Sequence, residues 1–239
     1  MQGEAARKQD PEQQKRTIRD LFTGIAAHYD RVNRLLSLGQ DERWRERALA
    51  LAEIPPCGAL LDVATGTGDM ALLARKQSPT ARVVGTDLTP AMLSQAQRKS
   101  GDHPLPWVVS DGLALAFADG TFDAVTSAFM MRNVPDIGDA FAEQARVVRP
   151  GGRVVCLEMT WPRRFPMRWL FGVYFFGLPP LLGGLTAGAW TPYRYLPRSV
   201  KNFVEPAVLA EKMTQAGLQA VAWKTMMAGT VAVHMGIKP

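Results

Sequence analysis

The sequence predicts an α/β fold: a mostly parallel sheet with helices on both faces. Two observations carry this. From Ala59 onward short apolar runs alternate with amphipathic stretches, and the first of those runs passes into a glycine turn that opens a helix. A β-α-β-α order needs crossover helices, and these cover both faces of a parallel sheet.

The 239 residues suffice for one large domain with a real core. With 47% apolar and 21% charged residues, the composition is that of a globular protein, neither disordered nor fibrous. The balance of 28 Lys and Arg against 22 Asp and Glu gives +6, compatible with nucleic acid, anionic lipid or an anionic small molecule. The positive residues are scattered, with no lysine run or aromatic stacking module, so nucleic acid is not expected as a partner. Cys57 and Cys156 stand far apart with no C-x-x-C, which suggests neither a disulfide framework nor a thiolate metal site. No metal is expected, and a reducing compartment is. Met1 to Asp20 lacks the apolar stretch of a signal peptide, so the expected location is cytoplasmic.

Residues 1–55 are expected to form an N-terminal helical lid. Pro11 marks a helix entry, and Ile18, Leu21, Phe22 and Ile25 recur at helical spacing, predicting two or three short helices. Residues 56–160 form the core. Its predicted strands are Ala59–Ala64, Ala81–Gly85, Leu105–Val109, Phe122–Ala128 and Arg153–Leu157. Its predicted helices are Met70–Gln77, Pro90–Lys99 and Ile137–Val148, the last closed by Pro150, Gly151 and Gly152. Residues 161–205 are an apolar insertion facing substrate or membrane. Its stretch from Phe165 to Trp190 is broken by Arg168, Pro179, Pro180, Gly183 and Gly184, short of the ~20 continuous apolar residues that span a bilayer. Residues 206–239 supply a helix, Pro206–Ala216, and two runs, Ala220–Met226 and Thr230–Met235. These form a C-terminal antiparallel hairpin that brings the sheet to seven strands.

The run Leu60 to Asp69 is an apolar strand entering a turn with Gly66 and Gly68, where backbone can approach a ligand closely. The dinucleotide pattern G-x-G-x-x-G fails here, because Ala64 and Asp69 occupy the outer glycine positions. Asp69 at the head of the next helix would also repel a pyrophosphate. A nucleoside cofactor without phosphate fits better. Asp87 ends the second strand 19 residues after Gly68, where a carboxylate accepts from both ribose hydroxyls. Asp111-Gly112 follows the third strand, placed for an adenine amino group.

This layout resembles class I S-adenosylmethionine-dependent methyltransferases. More narrowly, it is similar to the quinone-biosynthesis C-methyltransferases acting on demethylmenaquinol and polyprenyl-benzoquinol. The similarity runs from about Phe22 to Lys238. It includes Tyr29-Asp30, Asn33 to Gly39 with Trp44, Asp62 to Asp69, Leu115 to Asp123 and Arg132-Asn133-Val134. It continues through Val148 to Gly152 with Leu157-Glu158, Tyr193-Arg194-Tyr195-Leu196, and Ala228-Gly229 leading to His234-Met235-Gly236. The resemblance implies a Rossmann-like fold with S-adenosylmethionine as cofactor and S-adenosylhomocysteine as product. Its implied cofactor contacts are Tyr29, Gly66, Thr67, Gly68, Asp87, Asp111, Gly112 and Ala128.

The implied reaction is methylation of the ring of a prenylated hydroquinone in respiratory quinone biosynthesis, with another phenolic acceptor as the alternative. Departures from the family pattern bear on the acceptor. Met130-Met131 precede Arg132-Asn133 where Gly-Leu is usual, and Ala128 stands where serine is common. Ala189 to Pro192 replace acidic residues, and Phe203 replaces a histidine.

A hydroquinone carbon becomes strongly nucleophilic when the neighbouring hydroxyl is deprotonated, so the enzyme must stabilise a phenolate. Arg132, permanently charged, is the candidate. His28 is the candidate base, since it titrates near neutrality. Tyr29 is expected to close over the cofactor, and Asp62 to orient the glycine turn. His103 and His234 are expected to be structural. Trp161 to Phe171 interleaves Arg163, Arg164 and Arg168 with aromatics, which predicts peripheral contact with the inner face of the cell membrane. The oligomeric state is left open, a homodimer included.

Overall fold

A computed structural model of the chain describes residues 10–102, 104–187 and 190–239, with side chains described outside 178–194. The expectations for Met1 to Gln9, His103 and Ala189 fall outside the described residues. So do those resting on the side chains of Trp190 to Arg194.

The sheet has seven strands: β1 (Ala59–Val63), β2 (Arg82–Asp87), β3 (Trp107–Val109), β4 (Phe122–Ala128), β5 (Val148–Met159), β6 (Gln219–Met226) and β7 (Val231–Ile237). Their spatial order is β3-β2-β1-β4-β5-β7-β6. The first five pair in parallel, while β7 runs antiparallel to both neighbours. The chain reverses direction across the sheet between β1 and β4, the switch point where open α/β sheets bind ligands beyond their strand ends.

β1 is buried along its whole length and alternates its allegiance. Leu61 and Val63 join the core with α6 (Ile137–Val147) and α9 (Pro206–Gln215), while Leu60 joins the opposite core with α3 (Gln40–Ala52) and α4 (Asp69–Gln77). That period of two is what a strand covered on both faces requires. α3 lies flat on the sheet through Trp44, Ala48, Leu49 and Ala52. The lid proper is therefore α1 (Pro11–Ile25) and α2 (Tyr29–Leu36), whose Ile25, Ala26 and Val32 pack on Met92 of α5 (Pro90–Ser100). Asp10 caps α1 by accepting from the Glu12 amide, and Pro11 occupies the first helical position.

One local expectation changes. Pro150, Gly151 and Gly152 do not close a helix; α6 ends at Val147 and the three residues belong to β5. Gly151 has φ +76°, and a Cβ on Gly152 would meet the Asp123 carbonyl at 2.6 Å, so these glycines allow a bulged strand against β4. The apolar insertion forms a single helix, α7 (Met167–Ala187), which continues through Pro179 and Pro180, followed by α8 (Trp190–Lys201). Among the described residues no helix is long and apolar enough to cross a membrane. The C-terminal hairpin turns at Met227–Gly229, where Ala228 (φ +54°) and Gly229 (φ +89°) supply the reversal.

Candidate active site

The carboxyl ends of β1, β2 and β4 open onto one cavity, the position where open α/β sheets bind ligands. Ala64, Gly66, Asp87, Asp111, Gly112, Ala128 and Tyr29 line it. Ala64 (φ +53°) and Phe129 (φ +60°), the residues just beyond β1 and β4, both adopt left-handed backbone at its rim. Side chains resist that conformation, and such residues cluster where a turn serves a ligand. Gly66 (φ +59°) faces open space, so backbone alone bounds the cavity there.

Asp87 is held by two backbone donors: the Gly66 N–H reaches Oδ2 at 2.9 Å and the Thr89 N–H reaches Oδ1 at 2.8 Å. Each oxygen keeps a lone pair for the cavity, an acceptor pair suited to a vicinal diol. Burial pushes this carboxyl up from its ordinary range, and the two N–H groups oppose that shift. Beneath the turn, Asp62 accepts from Thr65 at 2.5 Å and from Thr126 at 2.9 Å, tying the turn to β4. Its burial raises its pKa to about 6.

The other residues named from sequence are placed differently. Thr67 does not line the cavity; its hydroxyl donates to Asp30 of the lid. Lys99 joins them, pairing with Asp30 at 2.8 Å and also with Asp69. Gly68 (φ +84°) sits beneath the Trp107 ring, which a Cβ there would meet at 2.7 Å. Asp111 lines the cavity, but Lys15 of α1 pairs with its Oδ2 at 2.7 Å and the Leu113 N–H holds Oδ1. His28 precedes α2, half-buried and outside the cavity. His234 is buried against Trp223, with Nε2 2.9 Å from the Pro206 carbonyl.

A second cavity lies behind Tyr29 and Phe129, which line both. Arg132, Arg45, Asp41, Asn33, Met159 and Phe175 also line it. Arg132 is buried and paired with the fully buried Glu158. Its Nε has no hydrogen-bond partner. The Met159 N–H also donates to Glu158, at 2.8 Å. Tyr29, between the cavities, is raised above an ordinary phenol by burial, against the pull of the Arg132 charge. Lys15, Arg45 and Glu158 had no role in the sequence reading. Glu158 ends an apolar strand, and a carboxylate there signals a buried partner.

The two cavities thus share a wall at Tyr29 and Phe129, at the carboxyl edge of a seven-stranded sheet. A sequence profile of the ubiE/COQ5 methyltransferase family matches residues 8–238. The chain belongs to the ubiE/COQ5 methyltransferase family. Among relatives, the demethylmenaquinone methyltransferase of Thermus thermophilus is 45% identical over 221 residues, covering 92% of this chain and all of that protein. The ubiquinone/menaquinone biosynthesis C-methyltransferase UbiE of Desulfotalea psychrophila is 40% identical, covering 92% of this chain and 90% of that one. A solved [4+2]-cyclase, SpnF, superposes with a TM-score of 0.68 at 14% identity over 93% of this chain and 95% of its own. That last likeness concerns the fold alone; the family is read from sequence.

Proposed function

We propose that this methyltransferase moves the methyl group of S-adenosylmethionine onto a ring carbon of a prenylated hydroquinone, demethylmenaquinol or its benzoquinol analogue, in respiratory quinone biosynthesis. The observation that carries the reading is the common wall of the two cavities at Tyr29 and Phe129. It sets a diol-accepting carboxylate on one side and a buried guanidinium on the other. The names of the relatives point to the same acceptor. When bound, the cofactor supplies an electrophilic sulfonium methyl. Asp87 would hold its ribose, and Gly66 and Ala128 would border it through backbone and a small side chain. The acidic Asp111 is available to an adenine amino group once Lys15 shifts.

The chain's own work is orientation, exclusion of water and charge. Tyr29 and Phe129 seal the passage, and α1 and α2 roof it. Arg132 stabilises a phenolate, while Glu158 keeps its guanidinium from standing uncompensated in a buried site. Since His28 lies outside both cavities, the reading rests on Arg132 rather than on a histidine base.

A prenyl tail resides in lipid, and one surface suits that. Between Glu158 and Glu205 the chain carries Arg163, Arg164, Arg168, Arg194, Arg198 and Lys201 and no acid; the rest of it holds 22 charges of each sign. The whole net charge therefore belongs to this segment. Phe165, Trp169, Val173 and Phe176 are exposed beside those arginines, while Phe171 and Phe175 turn inward and Phe175 lines the second cavity. Each basic residue near an anionic bilayer contributes ~1 kcal/mol.

Purified protein is to be offered reduced demethylmenaquinone and a demethylated polyprenyl-benzoquinol in detergent, with S-adenosylmethionine. Methylation of either ring supports the reading. Turnover of a soluble phenol with neither quinol accepted would replace it. Flotation with anionic vesicles should be lost when Arg163, Arg164 and Arg168 become glutamine; undiminished flotation removes the electrostatic contact.

A further inference from the structure

The second cavity holds two guanidiniums, and only Arg132 has a task so far. Arg45, from α3, is equally buried, with a side chain 8% exposed. Both cations lie over the same Phe129 ring, Arg45 at 5.6 Å and Arg132 at 5.8 Å from its centroid. A buried guanidinium is expensive, so its neighbours should explain it. Asp41 takes Nη1 through Oδ2 at 2.8 Å and its carbonyl at 3.1 Å. Asp69 is 3.5 Å from Nη2, beyond an ordinary charged hydrogen bond.

Each acid has a further partner besides Arg45. Asp69 pairs with Lys99, and Asp41 accepts from Ser37 at 2.7 Å and lies 3.6 Å from Arg34. Arg45 thus carries five donors, of which the Asp41 contacts engage one nitrogen, at the wall of a cavity that already holds a phenolate-stabilising cation.

We infer that Arg45 is the second acceptor-reading residue, donating to the ring oxygen para to the one that faces Arg132, so that the site selects a 1,4-dihydroxy aromatic over a monophenol. The inference rests on the acceptor reading above and sharpens its substrate class. A ring gripped at one oxygen pivots, and different carbons then face the methyl donor. Contacts at both ends fix which carbon is presented, and orientation of that kind is a large part of a bimolecular barrier.

The test crosses an enzyme change with a substrate change. Wild type and Arg45→Gln are assayed with a short-tailed 1,4-naphthalenediol and with the corresponding 1-naphthol lacking the second hydroxyl. S-adenosylhomocysteine affinity is measured by calorimetry in parallel. Loss of a charged hydrogen bond predicts a KM for the diol raised about 10-fold or more in Arg45→Gln. The S-adenosylhomocysteine Kd should stay within about 3-fold, because the Asp87 side of the cofactor cavity is untouched.

Wild type should lose a similar factor on the naphthol, and the variant should lose nothing further. Losses that multiply, or an unchanged diol KM, overturn the assignment while leaving the quinol reading intact. If wild type methylates neither the diol nor the detergent-dispersed quinols, both readings fall. Should Arg45→Gln not fold, Arg45→Lys carries the same comparison, keeping charge while losing the planar fork.

Discussion

Asp87 shows how much one carboxylate can be asked to do. Its oxygens each receive a backbone N–H from the loops they must organise, and the remaining lone pairs face the cavity. An amide cannot reproduce this, since its NH2 would oppose one of those donors. Asp87→Asn is expected to weaken S-adenosylhomocysteine binding about 10- to 100-fold by calorimetry. Arg132→Ala should do the reverse: a rate lowered by roughly 10²–10³ with cofactor affinity near normal. Its partner carries a stability cost instead. Glu158→Ala strands a buried guanidinium and should lower unfolding free energy by about 3–5 kcal/mol in urea. Strand ends and spacing made Asp87 visible in sequence. Glu158 enters the sequence only as part of the resemblance and without a role, because its charge makes sense only once Arg132, 26 residues away, folds back onto it.

At the scale of elements, the lid combines an apolar patch, Ile25, Ala26 and Val32 on Met92, with ion pairs at its edges. α1 reaches the cavity through Lys15 on Asp111, and α2 through Asp30 on Thr67 and Lys99. The outer face of α1 is solvent-exposed, and a segment covered on one side only opens locally at lower cost than the sheet core. Trypsin should therefore cut after the exposed Arg16 and Arg19 before the core is attacked, and S-adenosylhomocysteine should slow that cleavage. Equal rates with and without the nucleoside would show that α1 does not close over it. Most elements could be read directly from periodicity, as in β4, α4 and α9. The exception is Pro150-Gly151-Gly152, a local breaker that tertiary pairing overrides: Val148 and Arg153 on either side pair with Phe122 and Ala124 of β4, and the three residues lie in the bulge between them.

For the whole molecule, two buried groups set opposing acid responses. His234, held near pKa 4 by burial, is neutral in the fold, so its contribution is present above about 6.5 and is lost as pH falls toward 4. Asp62, raised to about 6, contributes below about 3.8, and that contribution is lost as pH rises toward 6. The two slopes cover one window with opposite signs and offset each other there. Urea midpoints between pH 4 and 6 should rise with pH in Asp62→Asn and fall with pH in His234→Gln. Flat profiles in both variants would show that neither group titrates as its burial dictates.

By itself the sequence determined the sheet, the glycine turn and the acid at the end of β2, because strand alternation and turn chemistry are local and repeat at fixed spacing. It also determined the family. The tertiary structure alone decided that Thr67 serves the lid, that His28 stands apart from both cavities, and that Arg45 and Arg132 share one aromatic wall. Those are encounters between side chains from distant segments. No spacing rule encodes them, since they exist only where separate helices and strands converge.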